Sequence, residues 1–215
     1  QDRRSRPGEA IGVRVAAEVL ASAGAQRLVV VDPHTVGFEA VCPVPVASLT
    51  ALPTLADALA GSVGDAGVVV APDFGATRRA GRLAALLGLP VAIVRKTRAG
   101  GAEVAAEEVV GEAGGRQPVI VDDMIATAGT VAAAVRLLRA QDVACRPVVA
   151  ATHGVFVGDA ADRLGGLDLA RLLVTDTVPP ADQPVAEVCP VAPLLADAIG
   201  RLHREEAVEE LCVFT

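Results

Sequence analysis

The sequence predicts an α/β protein with a mostly parallel sheet flanked by helices. Short apolar runs alternate with amphipathic stretches rich in Ala, Leu and Arg, which is the pattern of repeated strand–helix units. The 215 residues are 52% hydrophobic, yet they include no Trp, no Tyr and only 4 Phe. The core must therefore be built from Val, Leu, Ile and Ala, which suits helices packed on a buried parallel sheet. The chain shows no repeat of fixed short period, which excludes a solenoid.

The first half of the chain predicts helices and strands in alternation. Gly24 is expected to end the first helix, and the apolar run RLVVVD follows it as a buried strand. Three prolines between residues 42 and 53 favour a loop with a short extended piece. The predicted elements are a helix at 10–23, a strand at 27–32, a helix at 55–60, a strand at 67–71, a helix at 77–87 and a strand at 90–94.

The second half predicts the same alternation after a glycine-rich interruption. Residues 97–117 lack strong periodicity, so part of this segment is expected to be a mobile loop. The run PVIVD then begins a new strand. The predicted elements are a strand at 118–122, a helix at 130–140, a strand at 143–152, a helix at 159–164, a strand at 171–175, a helix at 191–206 and a strand at 211–214.

Charge and cysteine usage narrow the class of protein. The formal net charge is -7 and no block of Lys or Arg stands out, so neither a nucleic acid nor an anionic membrane surface is an expected partner. No apolar run reaches membrane-spanning length, and the expected location is the cytoplasm. The four cysteines are widely spaced without a CxxC motif, which favours buried reduced thiols. Because the first residue is Gln rather than Met, we expect the remainder of a longer chain.

The sharpest feature is the segment VIVDDMIATAGT at residues 119–130. An apolar strand leads into Asp122 and Asp123, and a turn of small residues then leads into a helix. In open parallel sheets, ligands bind at the carboxyl ends of the strands. The two carboxylates are therefore expected to accept hydrogen bonds from sugar hydroxyls or to hold a cation.

The turn between the acids and the helix predicts an anion site. It offers several backbone N–H groups at a helix N-terminus, together with the hydroxyls of Thr127 and Thr130. Small side chains let a phosphate approach the backbone, and Gly129 is expected to adopt an unusual dihedral angle. The segment as a whole predicts a site for a phosphorylated sugar.

These residues resemble the phosphoribosyl-binding motif of the type I phosphoribosyltransferase fold. Seven further segments, in the same order along the chain, are similar to motifs of one branch of that fold, the ribose-phosphate pyrophosphokinases. They are QDRR at 1–4, VDPH at 31–34, APDFG at 71–75, RKTR at 95–98, THG at 152–154, VTDTVP at 174–179 and the closing helix and strand at 191–214.

The resemblance implies that the C1 hydroxyl of ribose 5-phosphate attacks ATP, giving phosphoribosyl pyrophosphate and AMP with the help of Mg²⁺. It implies that Lys96 and Arg98 stabilise the transferring diphosphoryl group. The residues implied to bind ribose 5-phosphate are Asp122, Asp123, Ala126, Thr127, Ala128, Gly129 and Thr130. Those implied to bind ATP are Gln1, Asp2, Arg3 and His34, and those implied to contact Mg²⁺ are His34 and Asp73.

The resemblance also implies a division into domains and an oligomer. Residues 44–203 are expected to form one phosphoribosyltransferase-like domain. Residues 1–43 are expected to be the remainder of an N-terminal domain of the same kind, to which residues 204–215 return. Family members assemble as dimers built into hexamers, so a homo-oligomer is expected.

Two alternative functions stay open at this stage. Ala126 stands where the family has an acid, and some purine phosphoribosyltransferases carry Ala there, which favours a transferase that consumes phosphoribosyl pyrophosphate. The same change also favours a catalytically silent paralogue that regulates active synthetase chains. The presence of Lys96 and Arg98 favours the catalyst.

Overall fold

The computed structural model describes residues 6–35, 37–97, 106–141, 143, 146–179 and 186–212, with residues 96, 97, 106 and 107 described by their backbone alone. The helices are α1 Gly12–Ser22, α2 Phe38–Val41, α3 Leu52–Leu59, α4 Thr77–Leu87, α5 Gly129–Ala140, α6 Ala160–Gly165 and α7 Ala192–His203. The strands are β1 Leu28–Val31, β2 Val46–Leu49, β3 Gly67–Ala71, β4 Val91–Thr97, β5 Ala106–Val110, β6 Gln117–Ile125, β7 Val148–Gly154, β8 Arg171–Thr175 and β9 Glu187–Cys189.

The chain divides into two compact units. Gln1–Thr50 and Ala192–Thr215 form the smaller unit, in which β1 and β2 pair in parallel. Ala51–Val191 form the larger unit, which holds a seven-stranded sheet in the order β5-β4-β3-β6-β7-β8-β9. The assignment of residues 44–203 to one phosphoribosyltransferase-like domain, and of 1–43 with 204–215 to another, stays a prediction.

The large sheet confirms the predicted α/β class. Its neighbouring strands are parallel except at β5, which runs antiparallel to β4. Side chains alternate between its faces, as the geometry of a strand requires. On one face, Val68, Ile120 and Val149 pack with residues of α5 and α6. On the other face, Val69, Val119 and Val148 pack with residues of α3 and α4. The sheet is therefore the middle layer between two helical layers.

Both edges of the large sheet depart from the sequence prediction. β5 lies within the segment predicted to be partly loop, and β9 was not predicted. β5 pairs only with β4, and β9 is a three-residue strand that pairs with β8. Each edge is held by an ion pair to its neighbour, Arg95 with Glu108 and Arg171 with Glu187. Short edge strands have one exposed side and little apolar periodicity, so local sequence does not reveal them.

The end of the chain also differs from the prediction of a strand at 211–214. Glu209–Leu211 form a 3-10 turn, and Cys212 forms one isolated antiparallel bridge with Leu49. Residues 213 and 214 lie outside the described residues. The Thr50 N–H, directly after β2, donates to Leu211 O at 2.8 Å. The remaining predicted elements are present with ends shifted by a few residues.

The described cysteines are reduced, as predicted, but only one of the three is buried. Cys42, Cys189 and Cys212 are free thiols, of which Cys189 is buried, while Cys145 lies outside the described residues. Within the described part of the chain, no helix has the length and apolar character needed to cross a membrane.

The two leucines Leu83 and Leu86 on α4 provide a test of the packing. Leu83 is fully buried, whereas Leu86 is 52% exposed. We expect Leu83→Ala to lower the free energy of unfolding by about 2–5 kcal/mol, because it leaves a cavity under the sheet. Leu86→Ala is the matched control in the same helix and should cost less than about 1 kcal/mol. Chemical denaturation of both variants measures the difference, and equal costs would contradict the assignment of the buried face.

Candidate functional site

The site lies where the order of strands in the large sheet changes direction. β3 is followed through α4 by β4 on one side, and β6 is followed through α5 by β7 on the other side. β3 and β6 are parallel neighbours, so their two connections leave the sheet in opposite directions at the same end. Ligands of open α/β sheets bind in the crevice that this divergence creates. Asp73 follows β3, and the segment 122–130 continues from β6 into this crevice.

Asp122 and Asp123 lie within β6, which extends to Ile125 and is longer than predicted. Because strand residues alternate between faces, the Cα–Cβ bonds of the two aspartates leave the strand on opposite sides, although the carboxyl groups stay close enough to share a hydrogen bond. Asp122 shares the face of Ile120, which packs with α5, and Asp123 shares the face of Val121, which packs with α4. The acidic pair therefore has two different environments.

Asp123 is a buried member of an ion pair. Its residue is only 6% exposed, and its Oδ1 lies 3.9 Å from Nη1 of Arg79 on α4. The same Oδ1 accepts a hydrogen bond from the Met124 N–H at 2.9 Å. These contacts hold the end of β6 to α4, so Asp123 has a structural partner in addition to its predicted role toward the substrate.

Asp122 is held partly in its protonated form. Burial, a hydrogen bond with the Asp123 side chain and the negative charge of Asp123 raise the pKa of Asp122 to about 7. Asp73 adds a smaller repulsion in the same direction, and the hydrogen bond from the Asp123 N–H opposes the rise. A carboxyl group that titrates near neutrality at the mouth of a crevice marks a candidate functional site.

The turn after β6 contains a strained residue, and this residue is not the predicted one. Ala128 has φ 58 and ψ 12, in the left-handed region, whereas Gly129 begins α5 and does not have a positive φ. The expectation that Gly129 supplies the unusual dihedral angle is therefore wrong. An alanine in this conformation costs about 1 kcal/mol, which the surrounding contacts must offset. Backbone strain of this kind occurs often at ligand sites.

Neighbouring residues hold the carbonyl groups of the turn. Ile125 O accepts from the N–H groups of Val155 and Phe156 at 3.0 Å each, and Ala126 O accepts from the Val157 N–H at 2.9 Å. Thr127 O accepts from Arg163 Nη1 at 2.8 Å. Three successive carbonyls are thus bound by the segment that runs from β7 to α6.

The N–H groups of the turn face away from that segment, because N–H and C=O point in opposite directions across a trans peptide. Among the described residues, none accepts a hydrogen bond from the N–H of Thr127, Ala128 or Gly129, and no side chain caps α5. Thr127 and Thr130 are exposed. Free donors at the N-terminus of a 12-residue helix, with two exposed threonines, form a site that suits a phosphate group.

The structure describes only some of the other predicted site residues. Lys96 lies on β4, and its side chain is outside the description, as are all of Gln1, Asp2, Arg3 and Arg98. His34 is exposed in the smaller unit, while Asp73 is half-buried in the larger one, so their shared Mg²⁺ site stays a prediction. Among the residues that the structure describes, no cluster of three His, Cys, Asp or Glu side chains forms a metal site.

A pocket of about 470 Å³ opens beside Asp73. The exposed Phe74, together with Ile93, Arg95 and Val110, forms part of its lining. This volume lies within the range of small-molecule sites in proteins. The larger unit therefore has room for a small group beside Asp73.

Two residues at the site were not identified from the sequence. Arg79 and Arg163 are single arginines on predicted helices, and each reaches the 122–130 segment from another element. Arg82 and Arg136 occupy similar helical contexts, so residue type and spacing gave no signal that singled out either one.

Comparisons with known proteins cover nearly the whole chain. Residues 101–213 match the family model described as the phosphoribosyl synthetase-associated domain. The chain is 36% identical over 214 residues to a ribose-phosphate pyrophosphokinase of Aquifex aeolicus, which covers 98% of this chain and 68% of that protein. It is 39% identical over 220 residues to the ribose-phosphate pyrophosphokinase of Streptomyces coelicolor, with 98% and 67% covered.

A solved structure is similar to this chain in both fold and sequence. The crystal structure of phosphoribosylpyrophosphate synthetase from Mycobacterium smegmatis matches this chain with a TM-score of 0.82 and 36% identity. The match covers 95% of this chain and 67% of the other.

The raised pKa of Asp122 predicts a pH-dependent stability. The unfolded chain releases this proton near the ordinary pKa of 3.8, whereas the folded chain keeps it until about pH 7. The contribution of Asp122 to stability is therefore fully present below about pH 3.8 and is lost as the pH rises to about 7. Without ligands or divalent cations, we expect Asp122→Asn to raise the free energy of unfolding by roughly 1–3 kcal/mol at pH 8. The effect should be near zero at pH 4.

The neighbouring residue provides the control. Asp123→Asn removes the buried carboxylate that faces the half-buried Arg79, so it should destabilise the protein at pH 8. Thermal unfolding of both variants at pH 4 and pH 8 measures the contrast. The same direction of change for the two variants at pH 8 would contradict the different environments of the acids.

Proposed function

This chain belongs to the ribose-phosphate pyrophosphokinase family, and from that membership we propose that it converts ribose 5-phosphate and ATP into phosphoribosyl pyrophosphate and AMP. The family is one of transferases, and the fold is the α/β arrangement of the type I phosphoribosyltransferase kind. The observation that carries the proposal is the turn after β6, whose free N–H groups start α5 close to Asp122, the carboxyl group whose pKa is raised.

In this proposal the turn binds the 5-phosphate. The N–H groups of Thr127, Ala128 and Gly129 and the hydroxyls of Thr127 and Thr130 donate to its oxygens. Ala126 contributes backbone only, so the phosphate is bound without the acid that the family has at this position. Oriented backbone donors hold a phosphate without any cationic side chain in the turn, which contains none.

The acidic pair orients the sugar. Asp122 lies on the face of β6 toward α5 and accepts hydrogen bonds from ribose hydroxyls, while Asp123 is held by Arg79 and fixes the end of the strand. A fixed sugar places its C1 hydroxyl for attack on the nucleotide, and such positioning supplies much of the rate in phosphoryl transfer.

The residues proposed to bind ATP and to act on its phosphates are assigned from the family motifs. Gln1, Asp2, Arg3 and His34 bind ATP, and Lys96 and Arg98 neutralise charge on the transferring group. Bound Mg²⁺ would neutralise the phosphates of ATP and polarise the transferring group. The repulsion among Asp73, Asp122 and Asp123 fits a nearby cation, and magnesium needs few protein ligands because it keeps waters and substrate phosphates. His34 and Asp73 are its proposed contacts.

The proposal includes a cytoplasmic homo-oligomer that binds no nucleic acid. The presence of Ala126 favours two alternative functions, a silent paralogue and a phosphoribosyltransferase. Ala126 removes a carboxylate from the turn and leaves phosphate binding, which depends on backbone donors, intact.

The direct test is AMP release from ATP by the purified protein in its natural full length. We expect AMP and phosphoribosyl pyrophosphate in equal amounts, dependent on both ribose 5-phosphate and Mg²⁺. Lys96→Ala should lower kcat at least about 100-fold, because charge on the transferring group loses a fixed cation. The melting temperature should change little.

Arg116→Ala is the control for that substitution. Arg116 contacts Asp65 O and Gly67 O at the opposite end of β3, so its loss should leave kcat within a few-fold. A wild-type protein that binds ribose 5-phosphate but releases no AMP would refute the synthetase and favour the silent paralogue. A phosphoribosyltransferase would instead consume phosphoribosyl pyrophosphate when offered a nucleobase.

A further inference from the structure

We propose that Arg163 is a positioning residue for the phosphate-binding turn, acting through the peptide that joins Thr127 and Ala128. The proposal rests on the proposed binding of a sugar phosphate at this turn. Arg163 lies on α6, outside all the motifs that carry the family resemblance, and reaches the turn from 36 residues further along the chain.

Both terminal nitrogens of the Arg163 guanidinium donate hydrogen bonds. Nη1 donates to Thr127 O at 2.8 Å, and Nη2 donates to Asp159 Oδ2, also at 2.8 Å. The carboxylate of Asp159 thus orients the guanidinium plane and aims the other nitrogen at the turn. A planar fork makes two such contacts at once, which the single ammonium of a lysine does not reproduce.

The bond is made beside the left-handed residue of the turn. Thr127 O belongs to the peptide that immediately precedes Ala128, the residue in the left-handed conformation. The orientation of this peptide also sets the direction of the Ala128 N–H, because the N–H points opposite to the carbonyl. A donor that fixes Thr127 O therefore fixes a phosphate donor on the other side of the same peptide.

Among the described residues, backbone N–H groups bind the two preceding carbonyls but not Thr127 O. Ile125 O and Ala126 O are held by N–H groups of residues 155–157, and the series is completed by the Arg163 side chain. Nη1 also lies 3.6 Å from the position of a Cβ built on Gly129, so the guanidinium packs against the first residue of α5. The turn is thus oriented from one side by a continuous set of donors.

Asp159 neutralises Arg163, so the role is geometric rather than electrostatic. The Arg163 side chain is 36% exposed and its ion-pair partner is 66% exposed, and a screened pair adds little field at the phosphate. A geometric role predicts that charge alone does not replace the arginine. The variant Arg163→Lys keeps the positive charge and loses the planar guanidinium, so it separates the geometric role from the electrostatic one.

The test measures binding of ribose 5-phosphate by calorimetry to wild-type protein and to the variants Arg163→Ala and Arg163→Lys. We expect both to raise the dissociation constant about 10–100-fold, because the turn loses its fixed orientation. In the steady-state assay, KM for ribose 5-phosphate should rise in the same ratio, while KM for ATP should change less than about threefold.

Arg146→Ala is the matched control. Arg146 makes the same two kinds of contact, to Leu169 O at 2.7 Å and to Asp168 Oδ1 at 2.9 Å, but it precedes β7 at the opposite end of the sheet. The Arg146→Ala variant should have a melting temperature lowered about as much as that of Arg163→Ala. Its dissociation constant for ribose 5-phosphate should stay within twofold of the wild-type value. Unchanged binding in Arg163→Ala, an equal loss in Arg146→Ala, or full recovery in Arg163→Lys would each overturn the proposal.

The binding measurement also separates this proposal from the proposed function. Wild-type protein that binds ribose 5-phosphate without releasing AMP would refute the synthetase, while the variants would still test Arg163. Wild-type protein that does not bind ribose 5-phosphate would overturn the role of Arg163 together with that of the turn.

Discussion

The parallel pairing of β3 with β6 is the constraint on which the site depends. Val69 and Val119 lie opposite each other in this register, and both are fully buried under α3 and α4. Because the two strands lead to helices on opposite faces, the sheet opens only at their carboxyl ends. Helices cover both faces of the sheet. Polar groups of the strands therefore reach solvent at the strand ends. Asp73 and Asp122 lie at these ends, which explains why carboxylates occur so close to an aliphatic core.

The alternation of β6 at Asp122 and Asp123 gives two adjacent aspartates different chemistry. Asp123 faces α4 and its carboxylate is balanced by Arg79, whereas Asp122 faces the crevice with acidic neighbours, and its pKa is raised. One acid is therefore suited to hold the strand end in place and the other to interact with a ligand. The turn that follows shows the same division, because its carbonyls are bound by the segment from β7 to α6 and its N–H groups are left for an anion.

The strain at Ala128 links packing to binding. Ala128 is 4% exposed, and it belongs to the core cluster that includes residues of α5. Burial of the methyl group and the bonds to the preceding carbonyls together offset the cost of the conformation. The turn is thus preorganised before any ligand arrives, which lowers the entropy cost of binding.

The sequence by itself determined the class of fold, the central strands and the position of the turn, because these follow from local periodicity and from small residues next to acids. It did not determine the edge strands β5 and β9, since each pairs with a neighbour on one side only and their own patterns are short. Nor did it reveal that Ala128, rather than Gly129, is left-handed, because tertiary contacts override the conformational preference of a single residue. The contacts of Arg79 and Arg163 were likewise decided only by the tertiary structure, which brings helical arginines to a segment far away in the sequence.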